Sequence, residues 1–114
     1  MNIEEFKNKL INNPTEIEFS ETMAIIDSNY NFTPTAFKNG SLENVTGQNS
    51  GSCKLFAFAE AQNLTKDETL ACFGKYYFVD VLQDPNGDGH QNIRNFMKTG
   101  FEGLSFNNTP LQKK

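Results

Sequence analysis

The sequence has no tryptophan, one histidine, two cysteines and four prolines in 114 residues. Two cysteines cannot make a disulfide scaffold. Both lie in apolar, helix-like runs, so Cys53 and Cys72 read as reduced, buried thiols of a cytosol-like compartment. No apolar run approaches the roughly 20 residues that span a bilayer. A basic excess is also missing. The formal charge is −4 and the pI is near 4.9, which argues against general affinity for nucleic acid or an anionic membrane. The opening Met1-Asn2-Ile3-Glu4-Glu5-Phe6 is acidic and lacks the basic-then-apolar order of a secretory signal.

What the chain does have is phenylalanine. Eleven Phe and three Tyr supply much of its 37% hydrophobic content, enough for an aromatic core in one domain over residues 1–114. Residues 2–13 have helical periodicity, with Ile3, Phe6, Leu10 and Ile11 on one face and Asn12-Asn13-Pro14 as the stop. Ser20 is the expected N-cap of a second helix running to about Asn29. The period then changes. Residues 32–46 read as a hairpin turning at Asn39-Gly40, with Phe37 opposite Leu42 and Thr35 opposite Asn44.

After a polar loop, residues 52–62 are apolar nearly all round, which predicts a buried helix. Thr65-Lys66-Asp67-Glu68 is a capping box opening a helix over 66–83. Within it, Tyr76-Tyr77-Phe78 reads as core rather than as a platform for bases. Residues 84–89 form a turn-rich loop, residues 90–99 a last helix closed by Gly100, and residues 101–106 a strand able to join the hairpin. The polar tail from Asn107 to Lys114 is expected to be loose. The predicted fold is therefore α+β: about four main helices around an αα-hairpin at 52–83, with a small antiparallel sheet from 32–46 and 101–106.

Four blocks taken in order resemble the HopJ type III effector family. They are Asn31-Phe32-Thr33-Pro34-Thr35-Ala36-Phe37 with Asn39-Gly40, then Asn49 with Gly51 through Ala59, then Leu70-Ala71-Cys72-Phe73-Gly74 with Tyr76-Tyr77, then His90 with Asn92-Ile93-Arg94 and Phe96-Met97. The resemblance covers essentially the whole chain. It implies a bacterial protein, either cytoplasmic or secreted into a host by a type III route, and it carries no reaction with it.

Three local patterns are candidates for chemistry. Asp84-x-Asn86-x-Asp88-Gly89 matches the start of an EF-hand loop, but Asn95 stands where the bidentate Glu belongs, so a plain Asp/Asn/Gly turn is preferred and neither metal nor cofactor is expected. Gly51-Ser52-Cys53 with Phe56-Ala57 is similar over five residues to the nucleophile segment of papain-like proteases, which makes Cys53 a candidate nucleophile and His90 its candidate base. Apolar surroundings would raise the pKa of such a thiol rather than lower it. Finally, Asn49, Gly51, Ser52 and Lys54 at a helix N-terminus, with Arg94, would suit a small anionic ligand. The plainer reading makes Ser52 an N-cap and Arg94 a surface charge. Function at this stage is a small binding or interaction module with a protein or small-anion partner, the alternative being a thiol enzyme.

Overall fold

The computed structural model describes all 114 residues. Helix α1 (Ile3–Asn12) starts at a capping box in which the Asn2 side chain accepts from the Glu5 amide at 2.8 Å and the Glu5 carboxylate accepts in return at 3.0 Å. It buries Phe6 and Leu10, whereas Ile11, expected on the same face, is exposed. Helix α2 (Phe19–Asn29) begins earlier than predicted. Its cap is Glu18, whose backbone N–H is bound by the Glu21 carboxylate, and Ser20 already lies inside the helix. Lys9 and Glu21, 2.9 Å apart, tie α1 to α2.

Strand β1 (Tyr30–Phe32) follows at once, then β2 (Phe37–Asn39) and β3 (Leu42–Asn44). The hairpin exists, but its turn is Gly40-Ser41, so Phe37 faces Asn44 and Asn39 faces Leu42. Gly40 has φ +62° in the first central position of the turn, a geometry that suits glycine. The register differs from the predicted one by two residues. That shift keeps Phe37 on the core face and carries Asn39 into the interior, where it is fully buried.

Helix α3 (Ser50–Ala61) is the centre of the molecule. Cys53, Leu55, Phe56, Ala57, Phe58 and Ala59 are all buried, as its all-round apolarity predicts. Phe56 meets the rings of Phe37, Phe73 and Phe96, and Phe58 meets Phe6 and Tyr30, so this one helix joins aromatics from most of the chain. The Thr65/Glu68 capping box forms as expected, at 3.1 and 2.8 Å. Its helix, α4 (Lys66–Ala71), is short. The arm predicted over 66–83 is divided at Gly74 (φ +60°), and a π-helical segment, Tyr76–Val81, completes it.

Helix α5 (Gln91–Thr99) buries Asn92, Ile93 and Phe96 and ends at Gly100 (φ +58°). Strand β4 (Leu104–Phe106) pairs antiparallel with β2, giving the sheet order β3-β2-β4, so the third strand joins the hairpin as predicted. The tail is not loose. Strand β5 (Leu111–Lys113) pairs antiparallel with β1 and buries Leu111. The family of elements is α+β, with both small sheets laid around the helical core.

Candidate functional site

Two helices begin in the same unusual way. Asn49, which precedes α3, has φ 53° and ψ 47°; His90, which precedes α5, has φ 56° and ψ 51°. Left-handed backbone is uncommon outside glycine, and Asn and His are among the residues that adopt it most readily. Neither helix has a side-chain cap. Ser52 is therefore not the N-cap expected from the sequence but a first-turn residue. The first-turn amides of Ser50, Gly51 and Ser52, and of Gln91 and Asn92, find no backbone acceptor. Each helix end also carries roughly half a positive charge.

What turns the Asn49 side chain away from capping is an asparagine network whose other members, Asn39, Asn44 and Asn92, are buried. Asn49 Nδ2 donates to the side-chain Oδ1 of Asn44 at 2.7 Å. Asn44 and Asn92 exchange amide hydrogen bonds at 3.2 and 3.1 Å. Asn39 donates to the backbone carbonyl of Asn92 at 2.7 Å and to its side chain at 3.1 Å. The network locks the β2–β3 hairpin against the first turns of α3 and α5 and so fixes where both helix ends point.

Residues at the starts of both helices line one cavity of about 440 Å³. Its polar lining is Asn49, Gly51, Ser52, His90, Gln91 and Asn92, and its apolar lining is Phe19, Leu42, Phe73, Tyr76 and Ile93. The aromatic side is continuous: Phe19 stacks on Phe73 at 6.2 Å, Tyr76 meets Phe19 edge-on at 5.3 Å, and the His90 ring lies 5.3 Å from Tyr76. His90 Nε2 sits 3.1 Å from an Asp80 carboxylate oxygen on the π-helical segment, and both side chains are substantially exposed.

Four of the residues singled out in the sequence thus meet here: Asn49, Gly51, Ser52 and His90. Three do not. Cys53 is 1% exposed and is absent from the cavity lining. Burial pushes its thiol pKa up, against a smaller downward pull from the Thr35 backbone, which is the opposite of what a nucleophile needs. His90 faces Asp80 and Tyr76 instead. Of the candidate Cys53–His90 pair, the thiol is thus sealed in the core and the histidine has Asp80 and Tyr76 as its neighbours. Cys72 is more deeply held, its pKa pushed up to about 12 chiefly by burial. Both cysteines are free.

Lys54 turns to α2, where it pairs with Asp27 at 2.9 Å and lies 5.1 Å above the Phe32 ring. Arg94 is absorbed by the loop 84–89: it donates to the backbone carbonyls of Gly89 at 2.6 Å, Asp84 at 2.9 Å and Pro85 at 3.5 Å. A guanidinium thus organises the stretch whose spacing matched a calcium loop. No group of three or more His, Cys, Asp or Glu side chains is placed to hold a metal.

Sequence reasoning missed Phe19, Tyr76 and Asp80 as parts of the site and the asparagines behind it. Tyr76, assigned to the core, is 44% exposed and lines the cavity. The readable signal was the Tyr76-Tyr77-Phe78 run itself, since three consecutive aromatics on a helical segment cannot all face inward.

The family model of the HopJ type III effector proteins matches residues 3–111. A crystal structure described as that of "unknown function protein VPA0580" is 50% identical to this chain, covers 100% of it and 95% of its own length, and superposes with a TM-score of 0.97. None of the curated proteins matches.

Proposed function

The chain belongs to the HopJ type III effector protein family, and from that premise we propose that it is a small binding module whose cavity between α3 and α5 holds a small anionic ligand. The observation that carries the reading is the cavity's composition: two uncapped helix N-termini open into it beside a continuous aromatic surface. Unsatisfied first-turn amides and the helix dipole favour an anion at such a place. A volume of about 440 Å³ suits a small molecule.

Ser52→Asp tests this directly, because it places a fixed carboxylate in the first turn of α3. The variant should be about 0.5–1 kcal/mol more stable than the parent. In thermal unfolding with a panel of small carboxylates and phosphates, the parent should gain stability, by about 2.7 kcal/mol at a hundredfold excess over Kd, while the variant gains almost nothing. Equal gains in both proteins, or none in the parent, would sink the reading.

The family description also favours a finer statement of place: made in the bacterial cytoplasm, the protein acts after delivery into a host cell by the type III route. A translocation reporter fused to the chain should then signal inside host cells only when the secretion apparatus is intact. A signal that never leaves the bacterium would restrict the role to the bacterial cytoplasm.

A further inference from the structure

We propose that the outer edge of β4 is the docking site of an extended peptide segment bearing a cationic side chain, which adds to the β3-β2-β4 sheet as a further strand. The site shares no residue with the cavity between α3 and α5. β4 lies at the end of its sheet, paired with β2 alone. Antiparallel bonding alternates along a strand. The Gly40 N–H donates to the Gly103 carbonyl at 3.0 Å and the Asn107 N–H to the Ala36 carbonyl at 3.0 Å, so the positions bonded to β2 are 103, 105 and 107. Leu104 and Phe106 fall between them and turn their backbone groups outward. The Leu104 N–H is taken by the Phe101 carbonyl. That leaves the Leu104 carbonyl and both backbone groups of Phe106 to a strand alongside. The opposite edge, β3, carries Glu43, 3.7 Å from Lys38, and charges of this kind discourage strand addition. β4, Leu104-Ser105-Phe106, has neither charge nor proline.

The charge of the partner follows from what borders that edge. A groove of about 500 Å³ is lined by all of β4 and, from α3, by Ala57, Glu60 and Ala61. Glu60 is the one charged side chain of this lining. It is exposed and makes no ion pair, and partial burial pushes its carboxyl pKa up. A cation brought in by the added strand supplies the complement that the chain itself does not. The unpaired groups of β4 select a peptide, because an extended backbone offers donors and acceptors at the matching spacing. A second copy fits poorly. Two-fold pairing of β4 with itself would bring one Glu60 from each chain to the same junction, between chains that each carry a formal charge of −4.

The test is an NMR titration of the ¹⁵N-labelled chain with three end-blocked peptides: alternating valine and lysine, alternating valine and glutamate, and the valine–lysine peptide with every backbone nitrogen methylated. The valine–lysine peptide should move the amides of residues 104–107 saturably, slow hydrogen exchange at the Phe106 amide, and leave the amides of residues 50–52 in place. The valine–glutamate peptide should bind about fivefold more weakly or worse, and the methylated one should not bind. Glu60→Gln should remove most of the difference between the lysine and glutamate peptides while the protection of the Phe106 amide persists. Equal affinity of the parent for those two peptides would overturn the cationic partner. Undiminished binding of the methylated peptide would overturn strand addition. If no peptide moves residues 104–107, the docking site falls, and shifts at Phe106 that grow with protein concentration alone would assign the edge to a second copy instead.

Discussion

The side-chain carbonyl of Asn44 accepts from Asn49 at 2.7 Å and from Asn92 at 3.1 Å, while its amide donates to Asn92 at 3.2 Å and to the Phe37 carbonyl at 3.5 Å. It is 3% exposed, so water does not replace these partners. Buried polar groups left unpaired cost about 1–3 kcal/mol each. Asn44→Ala strips partners from both Asn92 and Asn49, and chemical denaturation should show a loss of about 3 kcal/mol, far more than deletion of an exposed amide produces. A loss below ~0.5 kcal/mol would mean that the network contributes nothing net. Such a network is hard to see in the sequence. The chain has fifteen asparagines, and in most positions they read equally well as turn or loop residues. The register shift of the hairpin is what selects Asn39 for the interior, where its side-chain oxygen stays without a partner.

At the scale of elements, the division of the 66–83 arm follows from one backbone position. Gly74 has φ +60°, and a Cβ there would stand 2.9 Å from the Ile17 carbonyl oxygen and 2.9 Å from the Phe19 nitrogen. Backbone atoms cannot move aside as a flexible side chain can. Gly74→Ala should therefore destabilise by about 2–4 kcal/mol and broaden the NMR signals of Phe19 and Tyr76, which flank the cavity. A thermal midpoint equal to the parent's would contradict the close approach of the arm to the start of α2.

Helix periodicity held in part through this region: Leu70, Phe73 and Val81 are buried, Tyr77 and Phe78 are partly buried, and Leu82 is exposed. What it could not supply was the break, since one glycine in a helical pattern reads as a modest propensity cost. The same limit explains the mixed outcome at α3. The sequence groups Asn49, Gly51, Ser52 and Lys54 at one helix start, yet successive helical residues are turned by about 100°. Gly51 and Ser52 face the cavity, Cys53 is turned toward Thr35, and Lys54 reaches Asp27.

At the scale of the molecule, the α+β architecture was legible because it depends on local signals: an all-apolar helix, a capping box, a polar loop before each helix. The pairings that close the structure were not. The tail looked loose because its composition is polar, but Leu111 enters the core and β5 takes up the free edge of β1. Partnering of that kind depends on which edge is vacant in three dimensions, and composition does not record it. The wall of the cavity has the same origin, with Phe19 and Tyr76 far apart in the chain and 5.3 Å apart in space.

Arg94 shows what such closure means for the loop beneath α5. Proteins that fold a comparable acidic turn around a dissolved ion make its shape answer to the surrounding medium. Here the counterion is covalently attached, reaching the carbonyls of Asp84, Pro85 and Gly89 from one helical turn into α5. The positive group that faces the loop's carbonyls is therefore part of the chain itself.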